Sequence, residues 1–127
     1  MFRYKLSELR SIAEFHANAA EPPMVVALLG DLGSGKTAFS QFFITPLLID
    51  KKQKVTSPTF NIIHIYDTTK GPIWHADLYR ISDPKELPEL GLMEAASNHI
   101  CIVEWPQIMT PHITSCNVVE IDLSPQA

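Results

Sequence analysis

An octapeptide constrains this chain more than any other feature: Gly30-Asp31-Leu32-Gly33-Ser34-Gly35-Lys36-Thr37, a match to G-x-x-x-x-G-K-[ST]. Glycines at these places let successive backbone N–H groups turn inward and approach an anion with no Cβ in the way. Before it runs Met24 to Leu29, unbroken and apolar, as a strand buried on both faces should be. After it, Lys36 to Ile44 reads as a helix that stops ahead of Pro46, because the residue before a proline is pushed out of the helical region. Strand, glycine turn and helix in that order form a cradle for phosphate, with the positive end of the helix dipole facing it. Lys36 supplies a compact cation for the β- and γ-phosphates and the Thr37 hydroxyl can ligate Mg²⁺, so ATP with magnesium is the expected ligand pair.

The rest of the chain fits strands and helices around that cradle. Leu9, Ile12, Ala13, Ala17 and Ala20 fall at helical spacing behind Ser7, which is placed to be an N-cap, so residues 8–19 read as an amphipathic helix ended by Pro22-Pro23. Phe60 to Tyr66 and Ile73 to Tyr79, rich in β-branched and aromatic residues, predict an antiparallel hairpin joined by Asp67 to Pro72. Asp83-Pro84-Lys85-Glu86 announces a helix start, and Pro88 and Gly91 are expected to cut that helix short. Ile100 to Val103 and Asn117 to Leu123 complete the strands. Interleaved strands and helices with one antiparallel insertion predict an α/β fold, three-layered, with a mixed sheet, and 127 residues suit a single domain over 1–127.

Phosphoryl chemistry also requires a carboxylate near the magnesium, delivered at the end of a buried strand. Glu104 ends the apolar run Ile100-Cys101-Ile102-Val103, and Asp77 sits in the less uniformly apolar Ile73 to Arg80. The run before Glu104 gives it the edge, with Asp77 the other candidate. His75, two residues before Asp77, suggests half of a metal pair, but two ligands do not make a site, and a histidine of a pleated strand is the plainer reading. Arg80 is an ion-pair candidate with Asp83 or Glu86 before it is an arginine finger. Trp105 divides between a place beside the nucleotide and an ordinary core or edge position. Thr56, Ser57 and Thr59 are hydroxyls on an extended segment, able to sense a γ-phosphate as a switch does or to be plain strand-entry residues.

Composition narrows the partners. With 46% hydrophobic and 19% charged residues the chain is that of a globular protein, and its net charge of −4 argues against tight direct contact with nucleic acid, which is held by Lys and Arg. Any role near nucleic acid is therefore expected to run through protein partners. Cys101 and Cys116 are not in a C-x-x-C pair, and Cys101 reads as a buried thiol. No run approaches the roughly 20 apolar residues that span a bilayer, and no signal-peptide stretch follows Met1, so the cytoplasm is the expected compartment.

Taken in order, GDLGSGKT (Gly30 to Thr37), VTSPTF (Val55 to Phe60), HADLYR (His75 to Arg80), DPKELPELGL (Asp83 to Leu92) and VEWP (Val103 to Pro106) resemble the TsaE (YjeE) family of bacterial P-loop ATPases. The resemblance implies a role in making threonylcarbamoyladenosine, a modified base beside the tRNA anticodon. It implies a weak ATPase that acts through a TsaD–TsaB assembly and reaches tRNA only indirectly. Carried over by position, Gly30, Asp31, Leu32, Gly33, Ser34, Gly35, Lys36, Thr37 and Ala38 would line the nucleotide. Thr37 and Glu104 would hold Mg²⁺, Asp77 would assist hydrolysis or position water, and Lys36 would clamp phosphate. Ser7 would stand near the adenine.

The sequence also departs from the family pattern. Ala38 stands where many members carry a second threonine, and Gln107 replaces a frequent glutamate. The sequence stops at Ala127 without the arginine-containing tail that many members place near the base, a departure that bears on adenine affinity and on partner docking. Two other functions fit a phosphate cradle: a small-molecule kinase, for which Thr37 to Glu104 leaves little room for a lid and acceptor domain, and a non-catalytic module that uses ATP only to hold its shape.

Overall fold

The structure, a computed structural model, describes residues 2–3, 5–31, 34–59, 61–113 and 116–123, and the side chains of Phe2, Arg3 and Leu6 are outside that description. Among the described residues the strands are β1 (Phe2–Arg3), β2 (Met24–Leu29), β3 (Ile63–Thr68), β4 (Gly71–Asp77), β5 (Ile100–Glu104) and β6 (Asn117–Asp122). The helices are α1 (Leu9–Ala19), α2 (Lys36–Ile44), α3 (Leu87–Leu90) and α4 (Leu92–Ala96). The strands form one sheet in the order β1-β6-β2-β5-β4-β3. All neighbours are parallel except β3 and β4, so the sheet is mixed with an antiparallel hairpin at one edge, as the sequence predicts.

Side chains alternate across each strand, and the sheet is covered on both faces. Val26, Leu28, Ile73, Ile100, Ile102 and Ile121 pack on one side with Leu9, Ala13 and Ala17 of α1 and Phe39, Phe43 and Ile44 of α2. Val25, Ala27, Ala76, Cys101 and Val103 pack on the other with Leu87 of α3 and Leu92, Ala95 and Ala96 of α4. β2 is central in the sheet and packed on both faces, Val26 and Leu28 on one side and Val25 and Ala27 on the other, which is why MVVALL shows no polar alternation.

Local details differ from the sequence reading in three places. Ser7 is not the N-cap of α1. It lies inside a 3-10 turn, Leu6–Glu8, and Glu8 takes the boundary position with no side-chain cap. That turn is closed instead by Glu8 N–H donating to Lys5 O (3.0 Å) while the Glu8 carboxylate accepts from Lys5 N–H (3.3 Å). Pro88 does not interrupt a helix: it sits in the first turn of α3, where no backbone N–H is needed, and Gly91 at φ +74 makes the break. The hairpin connection is tighter than Asp67 to Pro72, because the Thr68 hydroxyl donates to Gly71 O (2.6 Å) and accepts from Lys70 N–H (3.1 Å). Phe60, the expected start of the first hairpin strand, lies outside the described residues. The expected start at Asp83 does hold, its carboxylate accepting from Lys85 N–H at 2.9 Å.

From that connection Lys70 reaches across to α1. Its ammonium donates to the carbonyls of Ala17 (2.9 Å), Asn18 (2.7 Å) and Ala20 (2.6 Å), three acceptors at the end of a helix whose last carbonyls have no partner of their own.

Candidate functional site

The parallel strands β2, β4 and β5 end together, and the chain leaves β2 straight into the glycine turn and α2. In open α/β sheets this edge, outside the carboxyl ends of the strands, is where ligands sit. A cavity of about 340 Å³ opens there, lined by Ser34, Gly35, Lys36, Thr37, Ala38, Ser57, Thr59, Asp77, Glu104 and Trp105. A larger hollow of about 720 Å³ flanks the far end of α2, among Arg10, Phe42 and Thr45, but it has no glycine turn, and its one carboxylate, Glu14, is paired with Arg10 at 2.9 Å. Size does not decide between them; the chemistry of the lining does.

The turn has the geometry an anion cradle needs. Gly30 is at φ +147 and Gly35, the residue before α2, at φ +99. A Cβ on Gly30 would come within 2.5 Å of Ser34 Oγ, so no larger residue fits. Ser34 N–H donates to Asp31 O (3.0 Å), closing the turn over the start of α2, whose first backbone N–H groups have no intrahelical acceptor. Among the described residues Ser34 Oγ is buried without a hydrogen-bond partner, an orphaned group that a phosphate oxygen would satisfy.

Lys36 folds back on the turn. It is buried, and its ammonium donates to Gly30 O and to Asp31 O (3.1 Å), with the Trp105 ring 3.9 Å away. Burial pushes its pKa down, and Glu104, Asp77 and Asp31, in that order, oppose the shift by favouring the charged form. Trp105 reaches this place through a left-handed backbone, φ +56, that a bulky residue seldom adopts, and it also packs against Tyr79 with ring centroids 4.9 Å apart. Strained backbone of this kind concentrates at functional sites.

The acids come from neighbouring strand ends. Asp77 and Glu104 are register partners on β4 and β5, so they share a face, and His75 lies on it too by the two-residue period. The Glu104 carboxylate is nearly sealed from solvent, with Oε1 accepting from the Thr37 hydroxyl at 3.5 Å and Oε2 at 2.7 Å from His75 Nε2. Asp77 Oδ1 accepts from Tyr79 N–H at 3.0 Å. Ser57 and Thr59 bring hydroxyls 2.7 Å apart to the opposite wall.

The structure therefore gathers Ser34, Gly35, Lys36, Thr37, Ala38, Asp77 and Glu104 at one cavity, with Gly30 and Asp31 presenting their carbonyls to Lys36. Leu32 and Gly33 lie outside the described residues. Ser7 is not part of the lining. The sequence reading missed the contact of His75 with Glu104; the H-x-D spacing was the available signal, but it becomes informative only once β4 and β5 are known to be neighbours. Among the described residues no cluster of three or more His, Cys, Asp or Glu side chains could hold a metal. A hydroxyl beside one carboxylate suits Mg²⁺, which keeps waters and takes further ligands from substrate phosphates.

A mixed sheet between helical layers, with a glycine turn opening a helix at the strand ends, defines a P-loop NTPase-like α/β protein. The sequence profile described as "Threonylcarbamoyl adenosine biosynthesis protein TsaE" matches residues 4–127, and the chain belongs to that family. It is 38% identical over 116 residues to the tRNA threonylcarbamoyladenosine biosynthesis protein TsaE of Rickettsia prowazekii (strain Madrid E), spanning 91% of this chain and 79% of that one. With the protein of the same name from Bacillus subtilis (strain 168) it shares 41% over 103 residues, 80% of this chain and 63% of that one. The crystal structure of YdiB from Bacillus subtilis superposes with a TM-score of 0.61 at 29% identity, over 90% of this chain and 70% of that one. Family membership associates the chain with tRNA threonylcarbamoyladenosine biosynthesis.

Proposed function

We propose that this chain, acting as a single domain over residues 1–127, binds ATP with Mg²⁺ in the strand-end cavity and hydrolyses it slowly. In this reading it is a cytoplasmic accessory protein for threonylcarbamoyladenosine formation at tRNA position 37, working through a TsaD–TsaB complex and touching tRNA only indirectly. The observation that carries the reading is the Thr37 hydroxyl facing the Glu104 carboxylate at the mouth of a glycine turn that already holds an ammonium group. The net charge of −4 supports contact with RNA through proteins, and among the described residues no helix is long and apolar enough to cross a membrane.

The residues divide the work by position. Backbone N–H groups of the turn and of the first turn of α2 receive phosphate oxygens, and Lys36 exchanges its carbonyl partners for the β- and γ-phosphates. Thr37 and Glu104 are the residues that would hold Mg²⁺, which when bound neutralises charge on the phosphates. Asp77 would assist hydrolysis or position a water. Neither a glutamine nor an arginine lines the cavity among the described residues, which supports slow turnover until a partner completes the site.

The test is a reconstituted tRNA-modification system containing TsaD and TsaB. Wild-type protein should release phosphate from ATP and raise the yield of modified tRNA. Glu104→Ala should bind nucleotide in EDTA as wild type does and release no phosphate. Full turnover by Glu104→Ala would hand the role to Asp77, and a wild-type protein that releases no phosphate would reduce the site to a binding module.

A further inference from the structure

We infer that His75 is a positioning residue for the metal-holding pair: by fixing one oxygen of Glu104 it presents the other to Thr37. This rests on the reading of the cavity as a Mg²⁺–ATP site and adds a residue that the reading does not use.

The two oxygens of Glu104 are divided between two partners on different elements. Oε2 is 2.7 Å from His75 Nε2 on β4, and Oε1 is 3.5 Å from the Thr37 hydroxyl on α2. The short contact sets the orientation and the long one is the opening. An ionised carboxylate only accepts, so His75 Nε2 carries the hydrogen of this contact, and in a neutral ring Nδ1 is then a bare lone pair. Among the described residues Nδ1 is buried with no partner, which is tolerable for an acceptor and rare for a buried N–H, so both ends of the ring point to the hydrogen on Nε2.

Packing alone does not account for an imidazole here. His75 is 0% exposed; across that face of the sheet it lies between Ile102 of β5 and His64 of β3, with Ile73 and Asp77 next along its own strand. An apolar side chain would fill the position without leaving a buried nitrogen unpaired. What the ring adds is the Nε2–H on Glu104. A carboxylate free to rotate about its last bond would offer a cation several arrangements. Held by His75, it offers one. Partners behind metal ligands act in this way, and their loss commonly costs 10- to 100-fold in metal affinity, on the order seen across such sites.

His75→Met removes the donor and keeps the volume; His75→Gln returns an amide N–H near the position of Nε2. Binding of a fluorescent ATP analogue is titrated in EDTA and then across a Mg²⁺ series. For His75→Met the affinity in EDTA should equal that of wild type while the Mg²⁺ requirement rises about 10- to 100-fold, and His75→Gln should recover most of the shift. An unshifted Mg²⁺ requirement in His75→Met, or a folded His75→Gln that recovers nothing, overturns the inference. A wild-type protein with no Mg²⁺ response overturns the site reading and this inference with it, whereas a wild-type response that His75→Met preserves overturns this inference alone. Should His75→Met lose nucleotide binding in EDTA through misfolding, long-range ¹H–¹⁵N correlation on the wild-type protein decides: hydrogen on Nε2 upholds the inference and hydrogen on Nδ1 alone overturns it.

Discussion

The two faces of the sheet are built from alternate residues of the same strands, yet they carry different chemistry. Toward α3 and α4 the buried side chains of β2, β4 and β5 are Val25, Ala27, Ala76, Cys101 and Val103, apolar from end to end. Toward α2 the same strands begin with Ile73, Ile100 and Ile102 and finish with His75, Asp77 and Glu104. Among the described residues the buried His, Asp and Glu side chains of these strands lie on one face only, where β4 and β5 end beside the glycine turn. The buried Thr68 hydroxyl, at the other end of the sheet, is engaged by the hairpin tip. One face thus serves stability and the other serves binding, so substitutions on the two should have separable effects.

The largest expected effect is on the apolar face. Leu92→Ala, at a fully buried position of α4, should cost about 2–5 kcal/mol of stability and lower the melting temperature, while the folded protein keeps its nucleotide affinity. A loss of affinity as large as the loss of stability would break the division. Next comes the polar face. Lys36→Ala removes charge-assisted contacts of about 1.5–3 kcal/mol, so a fluorescent ATP analogue should bind roughly 10- to 100-fold more weakly, with little change in melting temperature. Unchanged affinity would remove the glycine turn from the binding site. The smallest effect concerns the two thiols. Burial, with the Cys116 thiol nearby, pushes the Cys101 pKa up to about 12, whereas Cys116 is less buried and its upward shift is opposed by the Val25 N–H. At pH 8 a thiol reagent should therefore modify Cys116 slowly and reach Cys101 only in denaturant; equal rates would mean that the apolar face is open to water.

What could be read in advance was whatever the chain encodes locally. The glycine turn, MVVALL before it and the Asp83-Pro84 helix start are contiguous patterns, and each appears where the spacing places it. Errors arose where a neighbouring turn changed the meaning of a residue. A 3-10 turn absorbed Ser7, and Pro88 proved harmless because the preceding Pro84–Glu86 turn delivers it to the start of α3. His75 illustrates a different limit. Nothing within HADLYR says which strand lies alongside, and the partner of His75, 29 residues further on, is set by the parallel register of β4 with β5. Trp105 is similar: its left-handed backbone brings it over Lys36, and neither EWP nor the turn reveals that alone.

The grip of Lys70 on the tail of α1 ties together stretches some 50 residues apart in the chain. An edge ribbon would ordinarily fray on its own, but here the ribbon cannot lift away without baring three carbonyls of the first helix at the same moment. Amide protons at the hairpin tip and in the last turn of α1 should consequently exchange with solvent as one cooperative group.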